Sequence, residues 1–189
     1  EKMFSTPRGH GYAAEHANNL VDKFKEGDFF GQQKVRLESE TIDPNTGHII
    51  KNGADRVVNG VQIQTKYCKS GSKCISECFE NGRMKYTIDG NTKPMQIEVP
   101  SDKYKEAVTA MEARIRKGEV PGVKDPAEAR NIVRKGYFTY AQAKNIAKAG
   151  TVESLVYDSV NGVIIAAPAF GLTSLLTFAN SIWQGDTKE

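Results

Sequence analysis

The amino-acid sequence predicts a mixed α/β fold, in which a central mixed β-sheet is flanked by helices. Three observations predict it. Apolar residues recur at helical spacing in some segments, they alternate with polar residues in others, and turn-forming residues separate the two kinds of segment. The chain has 189 residues, of which 39% are hydrophobic and 26% are charged. This composition is typical of a globular protein and excludes the disordered, collagen-like and disulfide-framework classes.

The predicted elements run in the following order: a helix over 12–25, strands over 34–39, 56–58 and 61–67, a short helix over 72–79, strands over 83–88 and 95–99, and a helix over 101–117. Asn59-Gly60 lies between the second and third strands and is the strongest hairpin signal in the chain. Ser101 is predicted to cap the helix that begins there. Because the order is a helix, three strands, a helix, further strands and then helices, we expect a mixed sheet with helices packed on it.

An internal repeat comes next. Ala127 to Gly136 is repeated, with substitutions, as Ala141 to Gly150. Each copy follows a helix-start signal and ends on a glycine suited to the position after a helix. The repeat therefore predicts two short capped helices, over 125–136 and 139–150.

The repeat is basic. The chain from 130 to 148 has no acidic residue and holds Arg130, Arg134, Lys135, Lys144 and Lys148. The formal net charge of +3 does not by itself indicate a nucleic-acid partner. Basic side chains with aromatic residues between them are what a nucleic-acid surface needs, so these five residues are candidates for contact with DNA. A solvated helix face with no partner explains the pattern equally well.

The C-terminal region is apolar. No charged residue occurs between Asp158 and Asp186, and 160–183 is long enough to satisfy the criterion for a membrane span. The run also contains several polar residues and Pro168, which favours a buried pair of helices broken at that proline. Membrane contact through 160–183 is left open and is not favoured.

One group of polar residues is a candidate for a metal-binding or catalytic site. Asp55 precedes the Asn59-Gly60 hairpin, and Gln64 and Lys66 follow it on one face of a strand. The hairpin can therefore bring the Asp55 carboxylate near Gln64 and Lys66. Carboxylate and amide oxygens are ligands that Mg²⁺ takes, and a lysine beside them could orient water. An amphipathic hairpin with a polar outer face is the structural alternative.

This pattern resembles the metal-binding core of the PD-(D/E)XK nuclease superfamily, in the Gln-x-Lys variant of Mrr-like restriction nucleases. The residues that carry the resemblance are Asp55 before the hairpin and, after it, Gln64-x-Lys66 followed by Tyr67. The resemblance implies a restriction-endonuclease-like core and hydrolysis of DNA phosphodiesters with Mg²⁺ or Mn²⁺. It implies Asp55 and Gln64 as metal ligands and Lys66 as the water-orienting group. Family members often add a glutamate from the first helix, and Glu15 is the candidate here.

With this resemblance the chain divides into a nuclease-like core over 1–100, a helical extension over 101–158 that contains the repeat, and an apolar segment over 159–189. We expect an endonuclease that is the effector domain of a bacterial toxin or defence protein. Its site of action would be cytoplasmic, after delivery or secretion as part of a larger bacterial protein. Its partners would be DNA, other domains of that protein, and a cognate immunity protein.

Two other function classes stay open. One is a non-catalytic interaction or membrane-associating module, and the other is a toxin of different chemistry, such as an RNase or an NAD-cleaving enzyme. His10 and Tyr67 are secondary site candidates, His10 because a Gly-His-Gly turn at a helix start can bind an anion. Cys68, Cys74 and Cys78 either bind a metal, with an incomplete ligand set, or pack as small apolar side chains.

Overall fold

The computed structural model describes residues 9–26, 34–37, 52–88, 92–149, 155–158 and 163–166. Within these ranges the protein has a mixed sheet and packed helices, which confirms the predicted mixed α/β class. The restriction-endonuclease-like nature of the core is not confirmed.

The described helices are α1 (Gly9–Glu26), α2 (Gly71–Ser76), α3 (Tyr104–Arg116), α4 (Ala129–Ile132) and α5 (Tyr140–Ala149). The described strands are β1 (Val35–Leu37), β2 (Arg56–Val58), β3 (Val61–Thr65), β4 (Phe79–Glu80), β5 (Arg83–Met84), β6 (Thr87–Ile88), β7 (Lys93–Pro94), β8 (Gln96–Val99), β9 (Val133–Lys135), β10 (Leu155–Asp158) and β11 (Val163–Ala166).

The central sheet has the strand order β1-β2-β3-β8-β9 among the described residues. The first three strands form an antiparallel meander, and β8 and β9 then add in parallel. Asn59 and Gly60 join β2 to β3 with φ values of 49° and 81°. Positive φ at both positions suits a type I′ turn, whose twist matches that of the paired strands, so this hairpin forms where the sequence predicts it.

Helices cover the sheet through two separate apolar clusters. α2 and α3 pack with β8 around Ile97, Val99 and Met111. α1 packs against α5, and their cluster includes Tyr67 and Phe138. Polar side chains of β2, β3 and β8 are buried as well, namely Arg56, Gln64, Thr65 and Glu98.

The first copy of the repeat does not form the predicted helix over 125–136. It forms a 3₁₀ turn at Pro126–Glu128, the short helix α4, and then strand β9. The physical reason is tertiary: Val133 is β-branched, is buried, and pairs with Ile97 of β8. The second copy does form a helix, α5. Since β9 belongs to the central sheet, the region beyond residue 100 contributes to the core.

The helix predicted to begin at Ser101 starts later. A 3₁₀ turn occupies Ser101–Lys103, where the Lys103 N–H donates to the Pro100 carbonyl at 2.9 Å, and α3 follows at Tyr104. The prediction that Ser101 caps this helix is therefore wrong, because neither the 3₁₀ turn nor α3 has a side-chain hydrogen bond at its N-cap. The strand predicted over 83–88 is divided between β5 and β6, each in its own two-stranded hairpin.

The apolar C-terminal segment begins in a β-hairpin. β10 pairs antiparallel with β11, and the register places Tyr157 opposite Ile164. The helical interpretation of 160–183 is therefore wrong at Val163–Ala166, where valine and isoleucine favour a strand. The remainder of that prediction, over 167–183, lies outside the described residues.

Candidate functional site

Asp55 lies at the start of β2, where the hairpin places it beside β3. Its backbone N–H donates to the Ile63 carbonyl at 2.9 Å. Its carboxylate accepts hydrogen bonds from Gln64 Nε2 at 2.5 Å and from the Thr65 backbone N–H at 2.7 Å. Burial raises the pKa of Asp55, although these hydrogen bonds and the charge of Lys66 oppose the rise. The structure thus brings Asp55 and Gln64 into direct contact.

Glu15 reaches the same place from α1. Its side chain is buried, with 6% of the residue exposed, and Oε1 has no hydrogen-bond partner among the described residues. Burial, and after it the negative charge of Asp55, raises the pKa of Glu15 to about 8. Two carboxyl groups from distant parts of the chain therefore share one poorly solvated environment.

Lys66 supplies a positive charge at this site. Its Nζ lies 4.6 Å from the centre of the Tyr86 ring, a cation–π geometry. Burial lowers the pKa of Lys66, but contact with Tyr86 and the charge of Asp55 outweigh burial, so the pKa is raised. Glu15, Asp55 and Lys66 therefore influence one another's protonation, and Gln64 acts on Asp55 through its hydrogen bond. The roles given to them by sequence stay predictions.

The metal-ligand geometry differs from the one implied by sequence. Gln64 presents its amide nitrogen, not its oxygen, to Asp55. In the described part of the chain, no group of three or more His, Cys, Asp or Glu side chains converges to hold a metal ion. Two carboxylates are thus in place, and the amide would have to rotate to present its oxygen to a cation.

Tyr67, one of the two secondary candidates, is not part of this arrangement. Tyr67 is buried in the α1–α5 cluster, and its hydroxyl accepts a hydrogen bond from Asn18 at 3.0 Å. Burial raises the pKa of Tyr67 above its ordinary value. Tyr67 is therefore a packing residue in this structure. His10 lies in the first turn of α1, and its side chain is outside the described residues.

Next to the site lies a buried ionic network that sequence reasoning missed. Arg56 of β2 donates to Asp22 of α1 and to Glu98 of β8, and both the guanidinium and the Glu98 carboxylate are fully buried. Arg134 of β9 adds contacts to Asp22 at 3.1 Å and to Glu98 at 3.3 Å. Burial raises the pKa of Glu98 while the two arginines oppose the rise. The network joins one helix to three strands of the sheet.

Neutral side chains complete the network. Asn18 Nδ2 donates to Glu98 Oε1 at 2.7 Å, and Asn18 Oδ1 accepts the Tyr137 backbone N–H at 3.0 Å. The Tyr137 hydroxyl donates to Asp22 at 2.7 Å. A sequence signal existed, because Glu15, Asn18 and Asp22 are spaced to share one face of α1. They form a polar stripe beside the apolar one.

The basic residues of 130–148 divide into two groups. Arg134 is held by Asp22 and Glu98, so its charge is neutralised inside the protein. Arg130, Lys135 and Lys144 are exposed. The side chain of Lys148 lies outside the described residues. Because Arg134 is in a strand and Lys148 is in a helix, the equivalence predicted from the repeat does not hold.

The fold and site define a mixed α/β domain that carries buried, coupled charges between its first helix and its sheet. The chain belongs to the YeeR C-terminal domain family, whose model matches residues 1–116. It is 42% identical over 123 residues to "Inner membrane protein YeeR" of Escherichia coli (strain K12). The match covers 64% of this chain and 21% of that protein, so the chain spans about a fifth of the relative's length. No solved structure matches the chain significantly.

These matches overturn several expectations. The assignment to the PD-(D/E)XK superfamily is wrong, because the matching family is a different one and no nuclease family matches. The endonuclease and toxin assignments are wrong on the same ground. The expected cytoplasmic site of action is contradicted by a relative named as an inner membrane protein. Among the described helices, none has the length and apolar character needed to cross a membrane. A short Asp-hairpin-Gln-x-Lys pattern arises on sheets of many functions, so it does not by itself define a nuclease.

Proposed function

We propose that this chain is a non-catalytic interaction module of a membrane-associated protein. The observation that carries this proposal is the 42% identity to a relative named as an inner membrane protein. Membership of the YeeR C-terminal domain family supports it. Because the chain corresponds to about a fifth of that relative, the other domains of a longer protein are the partners that the proposal implies. An immunity protein was implied by the toxin assignment and is not proposed.

We assign the membrane contact to the uncharged segment 160–183. Its apolar side chains are numerous enough to bind a bilayer surface, and no charged side chain within the run opposes their burial. The preceding residues 9–149 would then lie at the membrane surface. Lys66 and the buried charges take no part in this contact.

Flotation of the purified chain with vesicles of phosphatidylethanolamine and phosphatidylglycerol tests the proposal. We expect the wild-type chain to float with the vesicles and Leu175→Asp or Phe178→Asp to remain in the soluble fraction. Val61→Asp is the matched control, because Val61 is an exposed large hydrophobic residue outside the segment, at 41% exposure. Lys66→Ala should also float. A wild-type chain that stays in the soluble fraction, or equal loss in Val61→Asp, would contradict the proposal.

A second candidate function is the binding of a divalent cation, Mg²⁺ or Mn²⁺, between Glu15 and Asp55. It is favoured by the buried Oε1 atom of Glu15, which lacks a partner among the described residues, and by the mutual repulsion of the two carboxyl groups. A cation would provide hard oxygen ligands with the charge that they lack, and rotation of the Gln64 amide would add a third oxygen. No reaction is proposed for this site.

Titration calorimetry and thermal unfolding with MgCl₂ and MnCl₂ test the cation site. We expect saturable binding and an increase in the unfolding temperature that Asp55→Asn removes. Glu112→Gln, which changes a carboxylate on the surface of α3, should retain both effects. Equal responses in the Asp55 and Glu112 variants would exclude the site.

At the level of fold alone, we propose that the core is restriction-endonuclease-like. Support comes from the chain order of α1, an antiparallel meander of β1 to β3, α2, and the parallel strand β8. An experimental structure superposed on that fold class would test this, and no activity follows from it.

A further inference from the structure

Three cysteines lie together at the end of β3. Cys68 comes three residues after β3 and is half-buried, Cys74 is buried on α2, and Cys78 is buried just beyond that helix. All three are free thiols. Neither the family match nor the relative's name assigns them a role, and the proposed membrane contact does not use them.

The contacts select one pair of the three. The Cys68 backbone N–H donates to Cys74 Sγ at 3.3 Å, so the Cys74 sulfur lies against Cys68. Cys78 Sγ instead donates to the backbone carbonyl of Cys74 at 3.3 Å. The sulfur of Cys78 is therefore engaged with the backbone of α2, whereas the sulfur of Cys74 contacts Cys68.

The surroundings also separate the three thiols. The hydrogen bond from Cys74 lowers the pKa of Cys68 against the effect of burial, and the charges of Lys66 and Lys73 lower it further. The same hydrogen bond and burial raise the pKa of Cys74, and burial raises that of Cys78 to about 12. The thiol that is most readily ionised is thus the one that reaches the surface, which is the setting of a reactive cysteine.

We propose that Cys68 and Cys74 form a peroxide-reactive pair, with Cys68 as the nucleophile and Cys74 as the resolving thiol. The Cys68 thiolate attacks one oxygen of hydrogen peroxide. An S–O bond forms, the O–O bond breaks, and hydroxide leaves, so the sulfur is oxidised to a sulfenic acid. Cys74 then attacks the Cys68 sulfur. The S–S bond forms, hydroxide leaves from Cys68, and it takes the Cys74 proton to become water.

The geometry permits the second step. A disulfide needs an S–S distance of about 2.05 Å and Cβ atoms about 4 Å apart. The Cys74 sulfur already lies 3.3 Å from the Cys68 backbone nitrogen, so we expect rotation of the two side chains to bring the sulfurs together. Cys78 would have to break its hydrogen bond to the Cys74 carbonyl and turn from the helix to compete.

Peroxide treatment of the folded chain, followed by mass spectrometry, tests the proposal. Trypsin cuts after Lys69 and Lys73, so Cys68 and Cys74 fall in different peptides, and Cys78 shares the Cys74 peptide. We expect one disulfide that joins the two peptides, and fragment ions that place the bond on Cys74. Cys78→Ser is the matched control and should form the same bond. Cys74→Ser should instead accumulate a sulfenic acid on Cys68 that dimedone traps.

Three results would overturn the proposal: a bond between Cys74 and Cys78, a bond between two chains, or equal dimedone labelling of Cys68→Ser and Cys74→Ser. The wild-type measurement needs no substitution, so it decides the pairing even where a variant fails to fold. Circular dichroism before and after peroxide ensures that the oxidised chain is the folded one.

Discussion

Arg56 and Glu98 form an ion pair between two strands, β2 and β8, that do not neighbour each other, because β3 lies between them. Both side chains have no exposed surface. Two ions taken out of water are stabilising only when each is well paired and hydrogen-bonded. Here Asp22, Asn18 and Arg134 supply the additional partners. The pair therefore links β2 to β8 across β3, and its contacts with Asp22 and Asn18 hold α1 against these strands.

Removing one member of this pair should be costly. We expect Glu98→Ala to lower the free energy of unfolding by about 3–5 kcal/mol, because it leaves the Arg56 guanidinium buried without its partner. Urea denaturation measures the change. Glu112→Ala, which breaks a surface pair with Arg116 on α3, should cost less than about 1 kcal/mol. Similar losses in the two variants would mean that the buried network contributes little.

Glu15 should make stability depend on pH. Its pKa is raised from 4.5 to about 8, so between these values the folded protein keeps a proton that the unfolded chain has lost. The stabilising effect is complete below pH 4.5 and is lost as pH rises to about 8. One pKa unit corresponds to about 1.4 kcal/mol, so removing this group can change the pH dependence of stability by up to about 5 kcal/mol. We expect the stability of Glu15→Gln relative to wild type to increase by up to this amount from low to high pH.

Urea unfolding at a series of pH values measures this difference. Asp55 and Glu98 also have raised pKa values and act in the same direction, so the comparison must be between variant and wild type. Glu26→Gln, on the exposed last turn of α1, is the matched control. Parallel pH profiles for wild type and Glu15→Gln would show that Glu15 ionises as a solvated carboxyl does.

Gly71 should tolerate no side chain. A Cβ atom there would lie 2.4 Å from the Ala107 backbone nitrogen and 2.6 Å from the Lys103 carbonyl oxygen, so α2 and α3 would have to separate. We expect Gly71→Ala to lower the free energy of unfolding by about 3 kcal/mol. Gly11→Ala on α1 meets no atom within 4 Å and should be neutral or stabilising by about 0.5–1 kcal/mol. Thermal unfolding of the two variants provides the test, and equal midpoints would refute close packing at Gly71.

Contact with DNA stays a prediction from which the engaged Arg134 is removed, and among the described candidates Arg130, Lys135 and Lys144 are exposed. If these residues bind phosphates, changing all three to Glu should reduce the slope of log affinity against log salt by about 0.9 for each phosphate that is no longer neutralised. The charge-matched control changes three exposed lysines elsewhere to Glu, at Lys105, Lys117 and Lys124. Fluorescence anisotropy over a salt series measures both. An equal reduction in the two triple variants would indicate an effect of net charge alone.

Much of the fold could be predicted from local patterns. The Asn59-Gly60 hairpin and the helices α1 and α3 follow from turn chemistry and from apolar spacing, which act over a few residues. β9 could not be predicted, because Val133 becomes a strand residue only through pairing with Ile97, which is distant in sequence. Tertiary pairing overrode the helical repeat there.

The contact between Asp55 and Gln64 was predictable from sequence, and the ionic network beside it was not. The hairpin rule placed Asp55 beside Gln64, since the two residues flank one turn. Arg56 was missed because a charged residue beside valines in a strand is expected to face solvent. In the structure, Asp22 of α1 and Glu98 of β8 both bring carboxylates to its guanidinium. Only the assembled sheet reveals that pairing. A short motif that unrelated proteins share cannot identify the family or the activity of a chain.

The hydrogen bond from the Tyr137 backbone N–H to Asn18 Oδ1 joins residues 119 positions apart. The helix α1 also packs against α5, which begins later still in the chain. Contacts of such high sequence separation form slowly, because a long stretch of chain must be ordered first. During synthesis on the ribosome, α1 emerges before β9 and α5, so its polar stripe cannot contact Arg134 and Tyr137 until they are made. A fragment that ends at residue 116, where the family match ends, would lack these packing partners of α1. The contacts that hold α1 in place are thus completed only after the C-terminal half of this domain has been made.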